Sequence, residues 1–125
     1  MPREGGGGFY PVVLRLHDRR VLVVGGGKVG ARNAAGLVEG GAHVVVVSPR
    51  FEPAFARLVD VAALTLIERR YTVEDLAGMA LVVAATDDRA VNAQVSADAR
   101  RTGLLVSVVD NPRESLHRPC RRTSR

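Results

Sequence analysis

The sequence predicts a single α/β domain of the Rossmann type: a doubly wound parallel sheet of five main strands in the spatial order 3-2-1-4-5. Three observations carry that prediction. Short apolar runs alternate with stretches of helical length, separated by brief turns. The first run, residues 21–24, leads straight into Gly25-Gly26-Gly27, and Gly30 completes a G-x-G-x-x-G spacing. An amphipathic stretch and a second apolar run, residues 43–47, follow, so that strand, glycine turn, helix and strand fit within about 30 residues. Right-handed crossovers between parallel strands then give the order 3-2-1-4-5.

Residues 1–8 contain four consecutive glycines, which are costly to order, and are expected to be disordered. Residues 12–16 read as a short extended segment, and His17-Asp18 as a turn into the first strand. The first helix is expected over residues 29–39. The second strand, residues 43–47, has four valines, as suits a parallel strand buried on both faces. Pro49 and Pro53 bracket a turn, and residues 52–59 are expected to form a helix with Pro53 in its first turn. Leu64-Thr65-Leu66-Ile67-Glu68 is a third strand, and residues 72–76 a single helical turn with Thr72 at its N-cap. Residues 80–85 form a fourth strand, closed by Thr86-Asp87-Asp88. Asp88 is placed to cap a helix from Arg89 to Arg101, and Gly103 to end it. Residues 104–109 are the fifth strand, followed by Asp110-Asn111-Pro112.

The glycines have physical reasons. At Gly25 the chain leaves the strand in a turn that a Cβ obstructs. Gly27 lets the backbone approach a pyrophosphate, and Gly30 lets the helix pack close to the first strand. The free N–H groups and dipole of the helix's first turn face the phosphates. The bland alternative is a glycine-rich connection in an unrelated α/β domain; strands on both sides at the right spacing favour dinucleotide binding. The acid that usually holds the ribose hydroxyls, about 20 residues past the glycines, is missing. Val47-Ser48-Pro49-Arg50 stands there. Ser48 is able to hydrogen-bond a ribose without bringing charge. Arg50 either faces a 2′-phosphate, which favours NADP, or is solvated.

Composition excludes several classes. The 125 residues suffice for one core, and 46% hydrophobic content excludes a disordered chain. No apolar run approaches the length of a membrane span, and the N-terminus lacks the apolar core of a signal peptide. A single cysteine, Cys120, rules out an internal disulfide and fits a cytoplasmic location. With no Trp, two Tyr and three Phe, a stacking platform for nucleic acid is not expected. The net charge of +5 owes much to Arg118, Arg121, Arg122 and Arg125, so it describes the tail more than the domain. His17, His43 and His117 are spread along the chain and predict no fixed metal site.

The predicted topology places ligands beyond the carboxyl ends of the strands, near the switch in strand order. Three segments converge there: the glycine turn, Thr86-Asp87-Asp88 and Asp110. For Asp88 helix capping is the favoured reading. For Asp110 the alternative to function is a turn carboxylate before Asn-Pro.

Several segments together carry a family likeness: Phe9-Tyr10-Pro11-Val12, VLVVGGGKVGARNAAGL from Val21, GAHVVVVSP from Gly41, AATDDRAVNAQV from Ala84 and LLVSVVDNP from Leu104. Over residues 9–112 the chain resembles the siroheme-synthase N-terminal domain, the precorrin-2 dehydrogenase family, many members of which are also sirohydrochlorin ferrochelatases. The resemblance implies NAD-dependent oxidation of precorrin-2 to sirohydrochlorin, with Fe²⁺ as a substrate where chelation follows. It places Lys28, Val29, Pro49 and Arg50 on the family's NAD contacts, Thr86 near the nicotinamide and Asp110 on the essential aspartate. It favours NAD over NADP, because the family is NAD-linked without the ribose-binding acid. It also implies a homodimer.

The likeness stops after Pro112. Residues 113–125 lack apolar periodicity and read as an atypical basic tail, expected to be disordered, where the family continues into dimerisation and helical regions. Cofactor binding is therefore expected, while turnover by the chain as it stands is doubtful. The competing reading is a non-catalytic NAD-binding regulatory module, against which Ser48 argues, since such modules keep the acid after the second strand.

Overall fold

The computed structural model describes residues 12–58 and 62–109. Five parallel strands, β1 (Arg20–Val24), β2 (His43–Ser48), β3 (Leu64–Glu68), β4 (Leu81–Ala84) and β5 (Leu105–Val108), pair in the order β3-β2-β1-β4-β5. This is the predicted order. Helix α1 (Lys28–Glu39) joins β1 to β2, and α2 (Arg89–Arg101) joins β4 to β5.

The apolar runs are continuous because the two helices lie on opposite faces of the sheet. Along β1, Val21 and Val23 belong to the core that α1 covers with Ala31 and Ala34. Leu22 and Val24 face the other core, which α2 fills with Val95 and Ala99. The same alternation runs through β4, where Leu81 and Val83 face one core and Val82 and Ala84 the other. A central strand sandwiched in this way has no solvent face on which to place polar residues. The edge strand β5 differs: Leu105 and Val108 are 56% and 45% exposed.

The two connections outside the main helices are shorter and tighter than an α-helix. Residues expected to form a helix over 52–59 instead make a six-residue 3-10 turn, Pro53–Leu58. Its start is held by the Glu52 N–H, which donates to the Gly26 carbonyl at 2.7 Å. Phe55 is buried and meets Phe51 edge to face, with centroids 5.1 Å apart. Anchored at the glycine turn and by a core aromatic, so few residues have little room to propagate an α-helix. The predicted helical turn after Thr72 is a 3-10 turn, Val73–Leu76, with Thr72 at its N-cap. The extended segment 12–16 pairs with no strand among the described residues, and Val12 and Val13 lie exposed. His17-Asp18 forms the expected turn, and the Asp18 N–H donates to Gly41 O at 2.9 Å.

Two polar clusters hold the β3–β4 crossover, one within itself and one against α2. Arg69 donates two hydrogen bonds to Asp75, at 2.9 and 2.5 Å, and the Thr72 N–H donates to the same carboxylate at 2.8 Å. The Arg69 guanidinium holds the Asp75 carboxyl below its ordinary value of 3.8. On α2, buried Asp98 pairs with Arg101 and accepts a hydrogen bond from the Tyr71 hydroxyl at 2.9 Å. Burial raises the Tyr71 pKa.

The Asp75 carboxylate yields a pH-dependent prediction. Because its folded-state pKa is lowered, the pair's contribution is complete above the unfolded value, about pH 4, and fades as pH falls through the depressed native value. Asp75→Asn is expected to lower Tm at neutral pH. In strongly acidic buffer the difference from the unmodified chain should vanish, and paired thermal melts at the two pH values check it. An equal difference at both values would assign the effect to packing instead of charge.

Candidate functional site

The site is built where β1, β2, β4 and β5 end. Ala85 N–H donates to Val24 O at 2.8 Å, Gly25 N–H to Val47 O at 3.1 Å, and Val109 N–H to Ala84 O at 2.8 Å. These bonds gather the loops after the four strands along one edge of the sheet. The glycine turn lies at their centre.

Gly25 has φ +136°, and a methyl group there would stand 2.5 Å from the Ala85 carbonyl oxygen and 3.0 Å from Thr86 N. A Cβ at Gly26 would collide with Arg50 O and with the Ser48 hydroxyl, and one at Gly30 with Gly25 O. The sequence assigned Gly30 to close packing of helix on strand; the atom that it approaches is the carbonyl of the turn itself. Gly27 behaves differently. It is exposed, and a Cβ there would meet nothing within 4 Å. Among the described residues, absence of a side chain at Gly27 therefore serves no packing need, as expected where a ligand approaches the backbone.

Gly27 is also the N-cap of α1, and it provides no side chain to occupy the helix's leading amides. The first turn has no acidic residue, and the first intrahelical bond runs from Ala31 N–H to Gly27 O at 2.9 Å. A helix start that is positive by its dipole and lacks a side-chain cap suits an anionic group. Lys28 is exposed at this turn, while Val29 packs against the core on the α1 face. The residues present thus fit a pyrophosphate: Gly25, Gly26 and Gly27 shape the turn, and the amides at its end are directed outward along the helix axis.

At the end of β2, Ser48 is 8% exposed. Its hydroxyl donates to Arg50 O at 2.6 Å and accepts from Arg50 N–H at 3.3 Å. The sequence reading offered Ser48 to a ribose; its donor is spent on the turn that holds Arg50 beneath Gly26. Pro49 and Arg50 are exposed beside it.

At the end of β4, Thr86 and Asp88 close a compact turn. The Asp88 N–H donates to Thr86 Oγ1 at 3.0 Å, and the Asp88 carboxylate accepts from Ala90 N–H at 2.9 Å and Val91 N–H at 3.4 Å. Asp88 is thus the cap that the sequence predicted. Asp87 is exposed between them. The residue that sequence reasoning missed is Asn92, buried on α2, whose side-chain amide holds the main chain of Thr86. Its signal was an asparagine four positions after the cap, on a face otherwise needed for packing. Asp110 lies outside the described residues, as do the tail and His117.

The other two histidines, spread along the sequence, come together in the fold. His17 Nε2 and His43 Nε2 stand 3.3 and 3.5 Å from the two oxygens of Asp18, at the starts of β1 and β2. That is the end of the sheet opposite the glycine turn. Among the described residues no three His, Cys, Asp or Glu side chains are arranged to hold a metal ion. No helix among them is long and apolar enough to cross a membrane. A cavity of about 280 Å³, lined by Arg20, Leu22, Thr65, Asp75 and Met79 among others, includes none of the glycine-turn residues.

Fold, glycine turn and open helix start define a nucleotide-binding domain of the Rossmann class. The chain belongs to the family described as "Putative NAD(P)-binding", whose model matches residues 12–117. This membership agrees with NAD as the cofactor, the sequence expectation. More particularly, the chain is similar to siroheme synthase of Chromobacterium violaceum, with 45% identity over 109 residues covering 87% of this chain and 23% of the relative. It is 46% identical to siroheme synthase 2 of Aeromonas salmonicida over 107 residues, covering 86% of this chain and 22% of that protein. The chain therefore spans about a quarter of the length of these curated relatives. Among solved structures it matches SirC, a precorrin-2 dehydrogenase, with TM-score 0.69 and 34% identity over 78% of this chain and 48% of that one.

The glycines make opposite predictions. Gly25→Ala should destabilise the fold, since it forces a strained φ and a backbone collision. Gly27→Ala should change stability by no more than about 1 kcal/mol, the scale of an N-cap exchange, yet weaken NAD⁺ binding at least tenfold. Thermal melts and calorimetric titration of both variants check the pair. Full NAD⁺ affinity in a folded Gly27→Ala protein would remove this turn from the site.

Proposed function

We propose that this chain binds NAD⁺ for the oxidation of precorrin-2 to sirohydrochlorin, a step of siroheme biosynthesis. The observation that carries the reading is the uncapped α1 start behind Gly25-Gly26-Gly27, in a chain 45% identical to a siroheme synthase. The structural match to a precorrin-2 dehydrogenase supports the same reaction class.

In this reading the amides of the α1 first turn hold the pyrophosphate, with Lys28 and Val29 at its edge. Pro49 and Arg50 flank the adenosine side, beyond β2. Thr86 lines the nicotinamide side, beyond β4. NAD is favoured over NADP on the family resemblance. When bound, NAD⁺ supplies the hydride acceptor.

Oxidation of precorrin-2 releases a proton along with the hydride, so the site needs a base. Asp110, the residue after Val109, is proposed for that role: its carboxylate takes the proton or orients the macrocycle. Where Fe²⁺ is then inserted, the same carboxylate would receive protons leaving the pyrrole nitrogens, with iron as substrate. Homodimerisation, expected from the family, belongs to the same proposal, as does a cytoplasmic setting.

The test uses the full chain under anaerobic conditions. NAD⁺ is expected to raise Tm, because a ligand bound only by the native state must stabilise it. Precorrin-2 with NAD⁺ is expected to give sirohydrochlorin absorbance, and Asp110→Asn to abolish it while sparing NAD⁺ binding. Binding without turnover would leave a non-catalytic NAD module. Undiminished turnover by Asp110→Asn would remove that carboxylate from the mechanism.

A further inference from the structure

We propose that Asn92 is a positioning residue of the cofactor site: its buried side-chain amide fixes the Thr86 turn against which the nicotinamide half of the dinucleotide lies. The inference rests on the dinucleotide-binding reading given above.

Asn92 is 7% exposed, on the first turn of α2. Its Oδ1 accepts the Thr86 N–H at 3.2 Å, and its Nδ2 donates to the Thr86 carbonyl at 2.9 Å. One side chain thus occupies both main-chain polar groups of Thr86. Its Oδ1 also lies 3.0 Å from Thr86 Oγ1, which is itself 2.9 Å from Asp88 O. The backbone N–H of Asn92 is spent on Asp88 O at 3.1 Å.

Neither helix propensity nor burial accounts for an asparagine here. Asn is a mediocre helix former, and an apolar residue would suit a buried helical position better. The Thr86 clamp is what the polar side chain accomplishes, because burying an amide is tolerable only when its hydrogen bonds are met. The clamp also bears on the ligand. A Cβ on Gly25 would meet the Ala85 carbonyl at 2.5 Å and then Thr86 N at 3.0 Å, so the Ala85–Thr86 peptide, clamped on its Thr86 side, is the wall against which the glycine turn rests.

The direction of the ligand follows from the fold. In such sheets the adenosine ribose is held at the end of β2 and the pyrophosphate at the α1 start. The remaining half then extends across the switch point, past the end of β4, where Thr86 stands. With both of its main-chain groups engaged, Thr86 offers the nicotinamide a fixed surface. Precise first contacts of this kind depend on the supporting side chains behind them.

The test compares two probes on the full chain. ADP carries the adenosine and pyrophosphate; NAD⁺ adds the nicotinamide riboside. Calorimetry is run on the unmodified chain, Asn92→Ala, Asn92→Asp and Asp88→Ala, at a temperature where circular dichroism shows each folded. Asn92→Asp keeps the shape and the acceptor for the Thr86 N–H but sets an oxygen against the Thr86 carbonyl, and it serves where Asn92→Ala does not fold. Both Asn92 variants are expected to bind ADP within about twofold of the unmodified chain and NAD⁺ about tenfold more weakly. Asp88→Ala removes the α2 cap and should lower Tm without changing the ratio of the two affinities. An unchanged ratio in the Asn92 variants, whether both ligands weaken together or neither does, overturns the inference. So does an equal fall of the ratio in Asp88→Ala. Binding of neither probe by the unmodified chain would instead defeat the dinucleotide reading itself.

Discussion

The structure turns on the close approach of three stretches of main chain. At the end of β1 the chain must turn into α1 while lying against the exit of β4 on one side and the exit of β2 on the other. Gly25 faces Ala85 O, Gly26 faces Arg50 O and Ser48, and Gly30 returns over Gly25 O. No side chain fits at any of the three. Remove that tolerance and either α1 lifts from the sheet or the strand ends part, and in both cases the edge that carries the site is lost.

The same edge shows how two helix starts, built from similar materials, acquire different chemistry. The first amides of α2 are satisfied from within, by the Asp88 carboxylate. Those of α1 follow a glycine cap with no side chain, and no acid in the first turn opposes an anion. An intramolecular cap stabilises a helix and closes it to ligands; its absence leaves the partial positive charge for something external. Of the two helix starts, the one at the β1 turn is the one left open to an anion in the proposed reading, and the β4 turn is closed upon itself. Its hydrogen bonds join Thr86 and Asn92 to the main chain of Asp88, while the Asp88 side chain is turned to the α2 amides.

The opposite end of the sheet is held by different means. Asp18, with φ +62°, lies between the imidazoles of His17 and His43. Away from that end, beyond the last residue of β3, the crossover to β4 is fastened by Arg69 and Asp75, and Tyr71 reaches α2 at Asp98. The His17–Asp18–His43 contacts are at the surface, where ion pairs contribute little each, and the arginines that meet Asp75 and Asp98 are themselves partly exposed. Persistence of the fold depends more on the two apolar layers flanking β1 and β4 than on any of these pairs.

Strand order, the two long helices, the Asp88 cap and the glycine turn were all legible in the sequence, because each follows from local pattern: apolar runs of strand length, a cap residue before a helix, glycines at fixed spacing. The family resemblance was legible for the same reason, in motifs spread across residues 9–112. What local pattern misjudged depends on neighbours far along the chain. Residues 53–58 form a 3-10 turn because Glu52 is bound to Gly26 and Phe55 is drawn into the core. Ser48 keeps its donor from a ribose because the Arg50 backbone takes it. His17 and His43 meet because parallel β1 and β2 start side by side, which spacing along the chain does not reveal. Asn92 gained its place only when α2 folded back over the end of β4. Sequence determined which elements form and where the glycine turn and the open start of α1 fall, since those rest on backbone geometry and periodicity. Tertiary structure alone decided which polar side chains are left for a ligand, since that depends on which of them the fold has already consumed.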